Sequence, residues 1–180
     1  MSGLSDSFQR RINYLRISVT DRCNLRCIYC MPPEGINLIS HQDILTYEEI
    51  YTIVRAFAEL GVKKIRLTGG EPLTRLGIPN LVAKLSHIPG IDDIAMTTNG
   101  ILLGRYAAEL KEAGLMRVNI SLDTLKPDRF ERISRFNHFG DVLAGIAAAH
   151  TAGLHPVKIN TVVMAGTNDD EIVAFCPENH

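Results

Sequence analysis

Three of the four cysteines in the chain lie close together, as Cys23, Cys27 and Cys30 of the segment DRCNLRCIYC. Thiolates at such short spacing are typical ligands of a metal centre in a reducing compartment. A disulfide framework matches poorly, because such frameworks belong to small secreted chains whose cysteines are paired. The spacing therefore predicts a metal-binding loop.

The residues alone are compatible with two kinds of metal centre, a zinc site and an iron–sulfur cluster. Structural zinc takes four protein ligands, so His41 or Cys176 would have to supply the fourth, although each is also explained as a solvated histidine or an ordinary thiol. A [4Fe-4S] cluster normally takes four thiolates, so three of them leave one iron open. Because an open coordination position distinguishes a catalytic metal site from a structural one, we favour the cluster.

The remaining sequence alternates short β-branched runs with helical patterns, which predicts parallel strands with helices on the outside. The predicted strands are 13–20, 62–68, 91–98, 115–122 and 156–163. The predicted helices are 46–61, 78–89, 101–114, 140–153 and a short one from Pro127. A last helix is predicted over 167–175, from the acidic first turn of TNDDEIVAF, with CPENH as its stop.

Cations interrupt several of these strands at alternate positions, as Arg16, Arg66 and Lys158. A parallel strand covered on both faces should be almost continuously apolar, so one face of this sheet is predicted to be polar. We therefore predict an α/β fold with a curled sheet, a partial open TIM-type βα barrel of about five βα units. Cations inside it indicate a polyanionic ligand, unless they reach solvent or pair with interior carboxylates.

Polar motifs follow all five predicted strands, at the edge where parallel α/β folds place their chemistry. They are DRCNLRCIYC after the first strand, GGEP (69–72) after the second, TNG (98–100) and SLD (121–123) at the ends of the third and fourth, and AGTN (165–168) after the fifth. The sequence thus predicts one site at one edge of the sheet.

Two of these motifs carry a specific resemblance. The pattern C-x3-C-x-aromatic-C, with Tyr29 as the aromatic residue, followed by GGEP at the next strand end, resembles the radical S-adenosylmethionine (SAM) superfamily. The segments NYLRISVTDRCNLRCIYCMP, IRLTGGEPL, MTTNG, VNISLDTL and GLHPVKINTVVMAGTNDDEI together resemble the GTP 3′,8-cyclase family of molybdenum cofactor biosynthesis. That resemblance covers residues 10–173 and implies a lyase that converts GTP and SAM to (8S)-3′,8-cyclo-7,8-dihydroguanosine 5′-triphosphate.

The resemblance also implies roles for individual residues. Cys23, Cys27 and Cys30 would hold one [4Fe-4S] cluster, and SAM would chelate its open iron and be cleaved to a 5′-deoxyadenosyl radical. The GGEP carbonyls and the Glu71 region would give a polar edge for the SAM ammonium group. The implied SAM contacts are Tyr29, Gly70 and Ser121. The implied GTP contacts are Arg16, Arg66, Thr97 and Lys158.

Composition and family together limit the partners. With 19 basic and 20 acidic residues, overall charge indicates neither nucleic acid nor an acidic membrane as a partner. The sequence has no secretory signal and no apolar run long enough to span a membrane, so we expect a cytoplasmic protein. The resemblance implies GTP and an electron donor such as flavodoxin or ferredoxin as partners, and it leaves open whether a homodimer forms.

The family pattern is longer than this sequence. Its members have a sixth strand and a C-terminal segment in which three cysteines hold a second cluster, and neither is found here. We therefore expect residues 1–180 to form a single, truncated radical SAM core domain. Two alternatives stay open: an inactive remnant that binds a metal cluster without cyclising GTP, and a radical SAM enzyme with another substrate.

Overall fold

The structure is a computed structural model that describes residues 4–176. Among these residues, five strands form one parallel sheet in the order in which they occur in the chain. The strands are β1 (Tyr14–Ser18), β2 (Lys64–Thr68), β3 (Asp93–Thr98), β4 (Arg117–Ser121) and β5 (Val157–Asn160). Because β1 and β5 are not paired with each other, the sheet is open, and the predicted partial βα barrel is confirmed.

Five α-helices connect these strands: α1 (Tyr47–Glu59), α2 (Ile78–Ser86), α3 (Leu103–Glu112), α4 (Pro127–Ser134) and α5 (Phe139–Thr151). The predicted start of α1 is confirmed, because Thr46 and Glu49 form a reciprocal capping box. Gly61 follows the end of α1 with a φ of 98°, a left-handed conformation that favours glycine. No helix within residues 4–176 is both long and apolar enough to cross a lipid bilayer.

The apolar sides of the strands pack against the helices in one core. Ile65 and Leu67 of β2 and Met96 of β3 are fully buried, and they share this core with Leu81 of α2 and Leu110 of α3. Burial of such side chains contributes roughly 1.5–3 kcal/mol each. The core therefore holds the strands in register, which decides where their polar ends lie.

The other side of the strands carries the predicted cations. Arg16 and Arg66 are direct partners in the register of β1 and β2. Thr97, Asn119 and Lys158 are aligned across β3, β4 and β5. Arg66 is partly buried, whereas Arg16 and Lys158 are exposed. The alternation predicted from the sequence is therefore present in the sheet.

The prediction of a helix over residues 167–175 is wrong. The chain forms two short 3₁₀ turns there, Asp169–Glu171 and Val173–Phe175, and the predicted stop at 177–180 lies outside the described residues. Asn168 is drawn inward, since its side-chain amide donates to the carbonyls of Asp123 at 2.6 Å and Val162 at 2.9 Å. Contacts with the neighbouring strand end therefore override the local helical preference of this segment.

Strand β5 is also shorter than the predicted range of 156–163. Past Asn160 the backbone no longer pairs with β4, because the N–H of Val162 donates to the Asp123 carboxylate at 2.8 Å. The hydroxyl of Thr161 donates to the Leu122 carbonyl at 2.8 Å in the same stretch. Side-chain hydrogen bonds at the strand end thus replace the backbone ladder.

Helix α5 makes a close contact with the TNG turn after β3. A Cβ atom added at Gly145 would lie 2.2 Å from the carbonyl oxygen of Gly100. Gly100 itself has a φ of 82°, so it takes the left-handed conformation that this turn requires. Only glycine at position 145 lets the helix approach the turn this closely.

We expect Gly145→Ala to destabilise the protein by roughly 1–3 kcal/mol, because the new methyl group overpacks a backbone contact. Gly104→Ala in α3 is the matched control, since a Cβ there meets nothing within 4 Å. That change should stabilise the protein by roughly 0.5–1 kcal/mol through helix propensity. Urea unfolding measures both, and equal effects of the two substitutions would contradict the packing described here.

Candidate functional site

The three cysteines of the 20–31 loop open onto one cavity of about 360 Å³. Residues from the strand ends complete its wall, among them Gly70 after β2, Thr97 and Asn99 at β3, Ser121 and Asp123 at β4, and Asn160 at β5. Four of the five predicted motifs therefore meet here, together with Asn160 at the end of β5. The AGTN motif does not line the cavity, but the side-chain amide of its Asn168 donates a hydrogen bond to the carbonyl of Asp123, which does.

The cysteine loop is tied to the GGEP turn by backbone hydrogen bonds. The N–H of Gly70 donates to the Thr20 carbonyl at 2.7 Å, and the N–H of Glu71 donates to the Arg22 carbonyl at 2.7 Å. A Cβ at position 70 would lie 2.2 Å from that Arg22 oxygen. The glycine is therefore required by close approach of two backbones, a reason that the sequence analysis did not identify.

The carboxylate of Glu71 is enclosed rather than free. The residue is only 1% exposed. Its Oε1 accepts from the Leu73 N–H at 3.0 Å and from the Thr98 hydroxyl at 2.8 Å, and its Oε2 accepts from the Asn99 N–H at 2.6 Å. Burial raises the pKa of Glu71 and these donors oppose that rise. The Glu71 carboxylate thus clamps the turns after β2 and β3 together, and the polar edge for SAM stays a prediction.

The three cysteine side chains differ in solvent exposure, although they line the same cavity. Cys23 and Cys27 are partly buried, and Cys30 is exposed. Burial, together with the nearby charge of Asp123, raises the pKa of the Cys27 thiol to about 11. Burial likewise raises the pKa of Cys23. Both thiols are therefore protonated in the metal-free protein near neutral pH, so a metal centre must displace those protons when it binds.

The thiols of the cysteine loop are a donor set that a cluster can use. Within residues 4–176, no three His, Cys, Asp or Glu side chains converge on one point in the manner of a mononuclear site. A cluster does not require such convergence, because its cysteine ligands bind different iron atoms. The donor set, three thiols on one cavity wall, fits a [4Fe-4S] cluster that Cys23, Cys27 and Cys30 could hold.

Tyr29 and Asp123 form a polar pair on the cavity wall. The Tyr29 hydroxyl donates to Asp123 Oδ2 at 2.7 Å, while Oδ1 of the same carboxylate accepts from Val162. Burial and the Asp123 carboxylate both raise the pKa of Tyr29, which keeps it a neutral donor. Asp123 was recognised in the sequence only as part of the SLD motif, and its pairing with Tyr29 could not be read there.

The sequence-predicted residues fall into two groups. Tyr29, Gly70, Ser121 and Thr97 line the cavity together with the cysteines. Arg16, Arg66 and Lys158 do not line it, but they share a sheet face with Thr97 and Ser121. The two predicted ligand sites are therefore adjacent in the fold.

The cations of this face differ in whether a carboxylate neutralises them. Arg117 of β4 forms an ion pair with Asp93 at 2.7 Å. Among the described residues, Arg16, Arg66 and Lys158 have no carboxylate partner within ion-pair distance. The Nε of Arg66 is buried and lacks a hydrogen-bond partner within residues 4–176. This face therefore has unused capacity to bind an anion.

Asn119 is a residue of this face that the sequence analysis missed. It is buried, and in the part of the chain that the structure describes its Oδ1 has no hydrogen-bond partner. It lies between Thr97 and Lys158 in the strand register. A polar residue inside a central strand, at the same alternation as the cations, was the signal that could have identified it.

The two alternative zinc ligands lie away from the cysteine cavity. His41 contacts the Arg22 guanidinium and lines a separate cavity of about 430 Å³. The thiol of Cys176 is exposed and donates to the Ile172 carbonyl at 3.7 Å. Neither residue lines the cavity formed by the cysteine loop.

Comparison with known proteins identifies relatives over most of the chain. The sequence profile of the radical SAM superfamily matches residues 17–176. A GTP 3′,8-cyclase from Pelotomaculum thermopropionicum is 61% identical over 172 residues, which cover 96% of this chain and 53% of that protein. Another from Petrotoga mobilis is 58% identical over 170 residues, covering 94% and 53%. The chain spans about half the length of these curated relatives.

Solved structures show the same fold at low sequence identity. Methylornithine synthase superposes with a TM-score of 0.71 at 18% identity, covering 89% of this chain and 47% of that one. Streptococcus suis SuiB bound to S-adenosylmethionine gives a TM-score of 0.68 at 21% identity, covering 91% and 37%. At these identities the likeness establishes the architecture of the sheet and helices.

We expect Glu71→Gln to destabilise the protein by about 1–3 kcal/mol, since its side-chain NH₂ would face an N–H or O–H donor in a buried position. Glu109→Gln, at an exposed position of α3, is the matched control and should change stability by less than about 0.5 kcal/mol. Urea unfolding of the iron-free protein measures both. A Glu71→Gln protein as stable as the control would show that the clamp is unimportant for folding.

Proposed function

The chain belongs to the radical SAM superfamily, and on that basis we propose that it forms the N-terminal catalytic portion of a GTP 3′,8-cyclase of molybdenum cofactor biosynthesis. The proposed reaction converts GTP and SAM to (8S)-3′,8-cyclo-7,8-dihydroguanosine 5′-triphosphate. One observation supports the proposal: a cavity lined by three cysteines adjoins a sheet face on which Arg16, Arg66 and Lys158 lack carboxylate partners among the described residues.

The cysteines and the adjoining strand ends would bind the cofactors. Cys23, Cys27 and Cys30 would hold one [4Fe-4S] cluster, whose reduced form supplies the electron that cleaves SAM to methionine and a 5′-deoxyadenosyl radical. Tyr29, Gly70 and Ser121 would contact SAM, and all three line the cavity beside the cysteines. An electron donor such as flavodoxin or ferredoxin would deliver the electron.

The polar sheet face would bind GTP. Arg16, Arg66 and Lys158 would contact the triphosphate, because guanidinium and ammonium groups without carboxylate partners attract phosphate strongly. Thr97 belongs both to this face and to the cavity wall, so it would lie where GTP and SAM meet. Asn119, aligned with Thr97 and Lys158, would complete the polar surface.

The geometry would serve the reaction through positioning. The GTP ribose must lie next to the 5′ carbon of SAM, and a misplacement of about 1 Å can reduce the rate by about a hundredfold. A cation face fixed by the strand register would hold the triphosphate at one end of the substrate. The cavity wall would also exclude water from a reactive intermediate.

The first test concerns the cluster and SAM. We expect protein that has been reconstituted with iron and sulfide, and reduced with dithionite under anaerobic conditions, to form 5′-deoxyadenosine from SAM. The reason is that the three thiols line the same cavity as the proposed SAM contacts. Cys27→Ala should abolish 5′-deoxyadenosine formation through loss of one cluster ligand, whereas Cys176→Ala, an exposed thiol away from the cavity, should not. A protein that takes up zinc but no iron would contradict the proposal.

The second test concerns GTP. We expect Arg66→Ala and Lys158→Ala each to weaken GTP binding about 10- to 100-fold, the size expected for a charge-assisted hydrogen bond. SAM cleavage should be retained, because neither residue lines the cysteine cavity. Arg55→Ala, an exposed cation of α1, is the control and should bind GTP as the wild type does. Equilibrium dialysis with labelled GTP measures all three.

The two assays also separate the competing functions. SAM cleavage with unchanged GTP affinity in Arg66→Ala and Lys158→Ala would assign the chain to a radical SAM enzyme with another substrate. SAM cleavage and GTP binding without a cyclised product would identify a portion that needs the remaining length of its relatives, of which this chain covers about 53%. Product analysis by mass spectrometry distinguishes these outcomes.

A further inference from the structure

The TNG turn after β3 is a motif that the proposed function does not use, and its Asn99 lies against the cysteine loop. Asn99 is 8% exposed and its backbone N–H donates to Glu71 Oε2 at 2.6 Å. Its side chain reaches the cysteine loop. The Nδ2 atom lies 2.7 Å from Asn24 Oδ1 and 4.0 Å from Cys23 Sγ.

The orientation of this amide is determined by its surroundings. Oδ1 of Asn99 accepts from the backbone N–H of Ile101 at 3.1 Å, and a backbone N–H can only donate. The NH₂ group must therefore face the cysteine loop. Because an amide NH₂ carries two hydrogens, one can serve Asn24 Oδ1 while the other points to the sulfur of Cys23.

We propose that Asn99 is a positioning residue that fixes the Cys23 segment and donates an N–H to the Cys23 sulfur, and thereby raises the reduction potential of the bound cluster. The inference rests on the proposed function in one respect, namely that Cys23 ligates an iron–sulfur cluster. The backbone N–H of Leu25 donates to the same sulfur at 3.4 Å, so the amide would be its second donor.

The physical reason is the charge of the cluster. Reduction adds one electron, and the added negative charge spreads onto the thiolate sulfurs. Donors to those sulfurs stabilise the reduced form, so they shift the potential upward. Asn99 acts on the cluster through Cys23, and its backbone N–H is held by the carboxylate of Glu71 in the GGEP turn.

A redox titration of the iron-loaded chain, without SAM or GTP and monitored by electron paramagnetic resonance, tests this proposal. We expect Asn99→Ala to shift the midpoint potential to a more negative value, because a donor is lost. Asn99→Asp should shift it further, since it places an acceptor and a negative charge beside the sulfur. Asn80→Asp, an exposed asparagine of α2, is the matched control and should leave the potential unchanged.

Iron content and circular dichroism of the iron-free protein complete the test. A folded Asn99→Ala protein that loses iron uptake, while Asn80→Asp retains it, would also support the proposal, because it shows that the placement of Cys23 depends on the amide. If Asn99→Asp does not fold, Asn99→Ser replaces it and should also give a more negative potential. Wild-type potential and iron content in both Asn99 variants would overturn the inference.

Failure of the proposed function gives a different result. A wild-type chain that takes up no iron and sulfide would overturn the assignment of the cysteines themselves, and with it this inference. An iron-loaded wild-type chain whose Asn99 variants have unchanged potentials would overturn only the role of Asn99.

Discussion

The buried carboxylate of Glu71 is the constraint on which the rest of the site depends. An ionised carboxylate can only accept hydrogen bonds, so burying it requires donors on every side. Here the donors come from the GGEP turn and from the TNG turn, and the backbone of the same residue binds the cysteine loop. One residue therefore joins three loops from different strands, two through its carboxylate and the third through its backbone N–H.

A second buried glutamate repeats the arrangement at the other end of the sheet. Glu171 accepts from the Thr124 hydroxyl and the Leu125 N–H, both at 2.7 Å, and pairs with Arg129. Burial opposes its ionisation, but these donors prevail and hold the pKa of Glu171 below its ordinary value. In both cases a glutamate from one segment binds a threonine hydroxyl and the following N–H of another. Glu71 thus holds the turn after β3, and Glu171 holds the turn after β4.

The polar face next to this cavity has the opposite character, because Arg16, Arg66 and Lys158 have no carboxylate partner within the described residues. Arg117 is neutralised by Asp93, whereas Arg66 has a buried Nε without a partner in this part of the chain. Leaving a cation in this state costs stability unless a ligand provides the missing anion. The concentration of positive charge on this face is local, since the chain as a whole carries a formal charge of −1.

Periodicity, capping residues and cysteine spacing are local properties, so the sequence alone determined the order of strands and helices, the polar face and the loop that carries the three cysteines. The segment 167–175 shows the limit, because its helical preference lost to contacts of Asn168 and Glu171 with the β4 loop. Only the tertiary structure decided that Glu71 is a clamp and that Asn99 reaches Cys23. Those contacts join residues 28 and 76 positions apart, and they exist only once the register of the sheet has brought the strand ends together.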